Sequence, residues 1–383
     1  MSARPRPRLL LVSPRPPRQH GQGDQRRAHY ALTGLSEEWA VDVLSWLPDV
    51  DRSPGRQWAA HPMQTLRALA LTAARPASVA YVQSLAPRSL AKLARGYEMV
   101  LFMTNRAVPI AVSGRYAIDF IDDLGGAAAR RATTSTGAPS LFWRWEGRRL
   151  RRCDTRLAAS ASLSFAVNSL DAAAISPSVR TIPPAISTCP APDSGTKVVF
   201  TGNLFFAPNV EAASWMCTDL APRLAALGVD PLDIVIAGRR PPASLKALAA
   251  ASGVDLRPDV PDLNAVLVEA AVVAVPVVLG SGVQNKVLDA VGASRACVVT
   301  PFTNEVLGLV DGESALVRDR TADAFGEAIV SLLADRSLRQ RLAGKAIEQF
   351  ACYSEEAVAD AWRHSFRTLH PDYVPRAPAG QVT

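Results

Sequence analysis

Gly280, Ser281, Gly282, Val283, Gln284, Asn285, Lys286 and Asp289 concentrate more potential chemistry than any other stretch of this 383-residue chain. Two glycines, one residue apart, let a backbone approach a bulky group closely. Behind them runs Glu269–Leu279, which has no charge after its first residue and predicts a strand buried on both faces of a parallel sheet. Ahead of them Val287, Leu288 and Val291 form the apolar stripe of a helix, with Lys286 in its first turn. Strand, glycine turn and helix amino-terminus together bring free N–H groups and the positive end of a helix dipole to one place, which suits a phosphate. Lys286 sharpens the reading. The chain has five lysines (Lys92, Lys197, Lys246, Lys286 and Lys345), and this one stands where a cation is unfavourable unless an anion shares the pocket. A solvated lysine on an ordinary strand-to-helix turn is the plain alternative.

Other candidates fall where parallel strands are expected to end, the place that lines the crevice of a doubly wound sheet. Gly23, Asp24 and Arg27 open a helix after the strand Arg8–Ser13, and Asp24 reads equally as a helix cap or as a substrate-binding carboxylate. Asn105 and Arg106 follow the apolar strand Glu98–Met103. Asp119 and Asp122 lie three apart on an expected strand Ala117–Leu124, able to accept a proton, hold hydroxyl groups or cap the next helix. In the second half Gly202 and Asn203 follow Lys197–Thr201, Gly238 and Arg239 end Asp233–Arg239, and Val260 closes Val254–Val260. Asn209 reads as a helix cap.

Alternating strand and helix signals in both halves imply two α/β domains, as the length also suggests. We expect an amino-terminal domain over 8–180, a proline-rich linker over 181–195 and a second domain over 196–350. A helix over 351–370 and a loose tail over 371–383 complete the chain. Helices are expected over Pro62–Ala73 and Pro87–Arg95, and Asp51–Arg56 reads as a loop. The net charge of +7 and pI near 9.4 admit nucleic acid, anionic lipid or a phosphate-bearing substrate. Nucleic acid is disfavoured, because no recognition motif is present and the arginines are not interleaved with stacking aromatics. The basic faces of the helices carrying Arg67, Arg75, Arg88, Lys92 and Arg95 allow peripheral contact with an anionic membrane, or are simply solvated. The arginine-dense stretch Ala127–Arg156 reads as a solvated helix face, with a few arginines able to contact a pyrophosphate or a lipid headgroup. No run approaches the roughly 20 apolar residues of a membrane span, and a cytoplasmic protein is expected. The five cysteines show neither metal-ligand spacing nor a disulfide framework.

The run Gly280, Gly282, Asn285, Lys286, Val287, Leu288, Asp289, Ala290 resembles the donor-binding signature of family 4 glycosyltransferases of the GT-B fold. The similarity is to the exopolysaccharide-type subgroup whose motif reads glycine-x-glycine-x-x-asparagine-lysine-valine-leucine-glutamate-alanine. Ser281 stands where the broad family has its first glutamate, and Asp289 replaces the second with a shorter acid. Gly23, Asp24 and Arg27 match a Gly-Asp-x-x-Arg helix start, Asp119 and Asp122 an Asp-x-x-Asp strand end, and Glu146 and Asp154 acids of the long helix. Gly202 with Pro208 and Asn209 also match. Pro258 departs from a glycine of the pattern before Val260.

The resemblance implies two Rossmann-like doubly wound domains facing a central cleft, with a terminal helix returning to the first. It implies transfer of a sugar from a nucleotide diphosphate sugar to an acceptor hydroxyl, with retention of configuration and without a metal ion or other cofactor. Gly202, Asn203, Gly238, Arg239, Val260 and the 280–289 run would face the donor. Lys286 would take the diphosphate charge and Asp289 the ribose, while Asp24 and Asp122 stand as further catalytic candidates. Gly23, Asp24, Arg27, Asn105, Arg106 and Asp119 would face a glycan, lipid-linked or small-molecule acceptor of cell-surface polysaccharide synthesis. The histidines (His20, His29, His61, His364, His370) lie near ends and edges, and none is assigned as a general base. A nucleotide-sugar epimerase, a non-catalytic partner of the same fold and a basic membrane- or nucleic-acid-binding protein remain as alternatives.

Overall fold

The computed structural model describes residues 6–19, 21–47, 67, 70–109, 112, 114–190, 192–280 and 282–370. Ser281, His20, His61, the 51–56 loop, most of the helix expected from Pro62 and the tail from Pro371 lie outside these residues. The chain divides into two compact units. One takes it up to Ala185 and again from Glu355, and the other spans Ile186–Ser354.

In the first unit the order is β1 (Arg8–Val12), α1 (Gly23–Leu35), β2 (Ala40–Leu44), α2 (Ala77–Leu85), α3 (Leu90–Ala94) and β3 (Met99–Met103). There follow β4 (Tyr116–Asp119), α4 (Leu124–Thr134), α5 (Ala138–Ser160), β5 (Leu163–Ala166), α6 (Ser169–Ile175) and β6 (Arg180–Thr181). The strands form one parallel sheet, ordered β2-β1-β3-β4-β5-β6. Strand β3, Met-Val-Leu-Phe-Met, is buried throughout, as a strand with helices on both faces must be.

The second unit holds β7 (Lys197–Asn203), α7 (Ala207–Trp215), α8 (Ala221–Ala226), β8 (Ile234–Arg239), α9 (Ala243–Ser252), β9 (Asp255–Pro258) and α10 (Leu263–Val268). It continues with β10 (Ala270–Val275), α11 (Asn285–Gly292), β11 (Ala296–Val299), α12 (Pro301–Leu307), β12 (Leu316–Val317), α13 (Ala322–Ala334) and α14 (Arg336–Gln349). Its sheet is also parallel, ordered β12-β11-β10-β7-β8-β9. In each unit the first strand is flanked on both sides, so the strand order reverses at β1/β3 and at β7/β10. Ligand crevices of doubly wound sheets open at that switch, beyond the carboxyl ends of the strands.

The terminal helix α15 (Glu355–Arg367) belongs to the first unit, as expected of a returning helix. Gly34 of α1 makes this possible. A Cβ there would lie 2.0 Å from the Ala359 carbonyl oxygen, so the two helices touch backbone to backbone. Trp362 and Phe366 of α15 then pack on Phe165 of β5, with ring centroids 5.0 and 6.0 Å apart.

Several local expectations are corrected. Strand β10 stops at Val275 instead of running to Leu279, because Pro276 has no N–H to donate to a ladder. Strand β4 stops at Asp119, and Phe120–Asp123 form the turn into α4, where Asp123, not Asp119 or Asp122, caps the helix by accepting from Gly126 N–H at 2.8 Å. The arginine-dense stretch is two helices, broken before α5 at Gly137, which sits at φ +64°. Neither Asp24 nor Asn209 is a cap, since Gln22 and Phe206 hold those positions. Within the stretch 181–195, Thr181 ends strand β6 and the boundary between the two units falls at Ala185/Ile186. From there the chain is held in the second unit, with Ile186 N–H on Tyr353 O and Cys189 N–H on Gly292 O.

Candidate functional site

The richest site lies at the β7/β10 switch of the second unit. Gly202 and Asn203 end β7, and Gly280, Gly282, Val283 and Gln284 connect β10 to α11. Gly280 (φ +124°) and Gly282 (φ +72°) take backbone conformations that favour glycine, which is why the two stand there. A Cβ on Gly280 would lie 3.7 Å from Pro208, so this turn rests against the start of α7. Gln284 is the cap residue of α11, Asn285 its first residue and Lys286 its second.

Lys286 is buried, 8% exposed. Its ammonium donates to the Gln284 side-chain oxygen at 2.8 Å and lies 5.6 Å from the centre of the Phe200 ring on β7. Burial pushes its pKa down to about 8, while Asp289, one turn along α11, pulls the other way. The free N–H groups of the helix start oppose a cation at this place. The arrangement is therefore a turn and helix start whose positive charge is under-compensated, suited to a ligand with two or more negative charges. Asp289 is half-buried.

The other donor-side candidates have different roles. A Cβ on Gly238 would lie 1.8 Å from the Gly202 carbonyl oxygen, so Gly238 is needed for the two neighbouring strands to approach, whatever binds above them. Asn203 accepts from Phe205 N–H at 3.1 Å, and its carbonyl takes the Asn209 amide at 3.0 Å, which fixes the β7–α7 turn. Arg239 is half-buried at the end of β8, and Val260 packs partly on the core after Pro258. Ser281 lies outside the described residues.

In the first unit the candidates separate into two groups. Arg27 and Asp119, expected to face an acceptor, are instead a buried ion pair, 3% and 0% exposed, with Arg27 Nη2 3.0 Å from Asp119 Oδ1. Arg27 also donates to Ile182 O at 2.7 Å and to Pro183 O at 3.3 Å. Its hydrogen-bonding capacity is spent inside the unit, so this pair positions β4 and α1 and is not presented to a ligand. Gly23 merely opens α1.

The second group surrounds Arg106. Asp24 is paired with Arg15, from the β1–α1 loop, at 2.9 Å. Asn105 is buried and donates to Asp154 Oδ1 at 2.6 Å. Arg106 Nε and Asp154 Oδ2 are buried without a hydrogen-bond partner. Burial lowers the pKa of Arg106 against the pull of Asp122, Asp24 and Asp154. Burial, with Asp171 adding to it, pushes the Asp122 carboxyl up to about 6. The Asp154 carboxyl is pushed up to about 7 by burial, against the Asn105 hydrogen bond. Residues at the ends of β1, β3 and β4 thus meet Asp154 of α5 in one polar cluster able to hold hydroxyl groups and to exchange a proton near neutrality. The sequence flagged Asp154 only as an acid on a long helix, and nothing flagged Arg15. Among the described residues no group of three His, Cys, Asp or Glu side chains is placed to hold a metal ion, and no helix is long and apolar enough to cross a membrane.

Residues 195–335 match the family model of glycosyl transferases group 1. No curated protein matches the chain by sequence. Among solved structures, sucrose-phosphate synthase of Thermosynechococcus elongatus is similar over 95% of this chain and 99% of its own, at 14% identity and a TM-score of 0.64. Anabaena HepE, solved with UDP and glucose, is similar over 94% and 99% at 11% identity and a TM-score of 0.64. The trehalose 6-phosphate synthase of Burkholderia multivorans is similar over 95% and 97% at 12% identity and a TM-score of 0.62. These likenesses show the GT-B fold. The turn and helix that carry Lys286 fall inside the matched segment, so the second unit carries a group 1 glycosyltransferase domain within a chain of the GT-B fold.

Proposed function

We propose that the protein transfers a sugar from a nucleotide diphosphate sugar to an acceptor hydroxyl, retaining the configuration at the transferred carbon and using no metal ion. One observation carries the reading: a buried, charge-starved Lys286 in the first turn of α11, behind two glycines at the β7/β10 switch. The diphosphate of the donor lies on the N–H groups at the start of α11, beside Lys286. Charge that grows on the diphosphate as the glycosidic bond breaks meets a group already paying for burial, so the interaction strengthens toward the transition state. Asp289 faces the ribose, and Gly202, Asn203, Arg239 and Val260 border the donor. UDP in the HepE structure supports a uridine donor over other bases.

The acceptor is a glycan or lipid-linked saccharide of cell-surface polysaccharide synthesis, held by Asp24, Arg106 and Asp122, with the buried Asn105 bonded to Asp154 as their support. Calorimetric titration with UDP, GDP and dTDP, beside a Lys286→Ala variant, tests the donor site. The expected result is micromolar binding of one nucleotide, weakened at least tenfold in the variant. A folded protein that binds none of the three overturns the reading.

A further inference from the structure

We propose that the outward face of α5 is a docking surface for an anionic lipid bilayer. Leu141, Phe142 and Trp145, at the first turns of this helix, are 67%, 42% and 51% exposed. The three side chains form one patch, with the Phe142 and Trp145 rings 6.2 Å apart. From its edge Arg144, Arg148, Arg152 and Arg156 continue along the helix at every fourth residue, all exposed. Side chains four apart on a helix are neighbours, so the stripe repels itself. Nothing on the helix relieves it, because its two carboxylates, Glu146 and Asp154, are each 1% exposed and face inward. Glu146 accepts from Ser78 N–H at 3.2 Å and Asp154 from Asn105.

The face cannot rotate inward to hide. Gly147, on the opposite side, lies so close to α4 that its Cβ would be 3.2 Å from the Gly125 carbonyl oxygen. The helix therefore holds toward solvent a protruding aromatic wedge and a row of guanidinium groups that, among the described residues, no carboxylate is seen to pair. A bilayer carrying negative headgroups satisfies both at once. Leucine and the two rings enter the headgroup–acyl boundary, and the arginine row lies along the phosphates. A nucleic acid fits less well, because the aromatics sit together at one end of the row and are not interleaved along it for stacking. The inference does not rest on sugar transfer, and its test reads binding without turnover.

The full chain is sedimented with large vesicles of phosphatidylcholine alone, or with one-third phosphatidylglycerol, at moderate salt. Partition onto the mixed vesicles only is expected. Replacing two surface arginines (Arg148→Gln with Arg152→Gln) should lower the partition coefficient about thirtyfold. Replacing the wedge (Trp145→Ser) should lower it about tenfold. Both variants alter exposed positions, and an unchanged circular-dichroism melt confirms folding. Equal partition onto neutral and anionic vesicles, none onto either, or variants that bind like the parent would each overturn the proposal. So would displacement from the vesicles by equimolar duplex DNA.

Discussion

Arg27 of α1 grips both carboxylate oxygens of Asp119 at the end of β4, and the pair is almost wholly shielded from water. The guanidinium also ties down Ile182 and lies 5.3 Å from the Trp362 ring of α15, so four segments meet on one charge pair. Removing one partner strands a buried charge, which costs about 3–5 kcal/mol. Arg27→Met should therefore lower the unfolding free energy by that order, read from urea midpoints. Adding Asp119→Leu should recover a large part of the loss, because no charge is left behind. A double variant as unstable as the single one would show that the contacts to Ile182 and Trp362, not the charge pair, do the holding.

Lys286 makes the empty protein less stable than it could be. Its pKa falls to about 8 in the folded state from 10.5. Between those values the unfolded chain holds the proton and the folded chain does not, so stability should rise with pH across that window and be flat below it. The penalty below pH 8 amounts to about 3 kcal/mol at most. Lys286→Met should remove the rise and stabilise the ligand-free protein at neutral pH. Denaturant melts of both proteins from pH 7 to 10 measure this, and parallel profiles would show that the ammonium is better solvated than its burial implies.

Much of this was legible in the sequence because apolar runs and glycine turns are local signals. The β10 run, the turn after it and the first-turn lysine could all be read directly. What could not be read is which strands are neighbours. Lys286 meets Phe200 because β7 pairs with β10 across some 70 residues, and Asp154 meets Asn105 because α5 folds back over the end of β3. Spacing placed Arg27, Asp119 and Asp122 together at strand ends, but spacing does not say which carboxylate turns inward. Asp119 is on the strand and points into the unit, whereas Asp122 lies in the turn beyond it. The cap of α4 went to Asp123 for the same reason, a displacement of one residue that no pattern reveals. The break at Gly137 was hidden by arginines on both sides, which gave the two helices one continuous composition.

Asp154 carries the opposite pH signature from Lys286. Burial raises its carboxyl from 3.8 to about 7, so the folded state holds a proton that the unfolded state gives up. Its contribution to stability is full below about pH 4 and is lost as pH rises to 7. Asp154→Asn keeps an oxygen for the Asn105 amide and removes the charge. The variant should be more stable than the parent above pH 7, by at most about 4 kcal/mol, with the difference vanishing near pH 4. If the sugar acceptor uses this cluster, the same variant should also flatten the pH dependence of acceptor KM between 6 and 8 while leaving UDP affinity unchanged. Loss of UDP binding in the variant would disprove a role confined to the first unit.

The last prediction joins the lysine to its proposed ligand. In the free protein at pH 8.5 a group with a pKa of about 8 is roughly three-quarters deprotonated. A bound diphosphate favours the charged form and should lift the pKa well above that pH. UDP binding at pH 8.5 should therefore draw about 0.7 proton from the buffer, a quantity read by calorimetry in two buffers of different ionisation enthalpy. At pH 7 the uptake should nearly vanish, because the ammonium is already protonated. Lys286→Arg keeps a positive charge that does not titrate in this range, so it should bind UDP without proton uptake at either pH. Binding of UDP by the parent with no uptake at pH 8.5 would place the diphosphate away from Lys286 and leave the helix start alone to hold it.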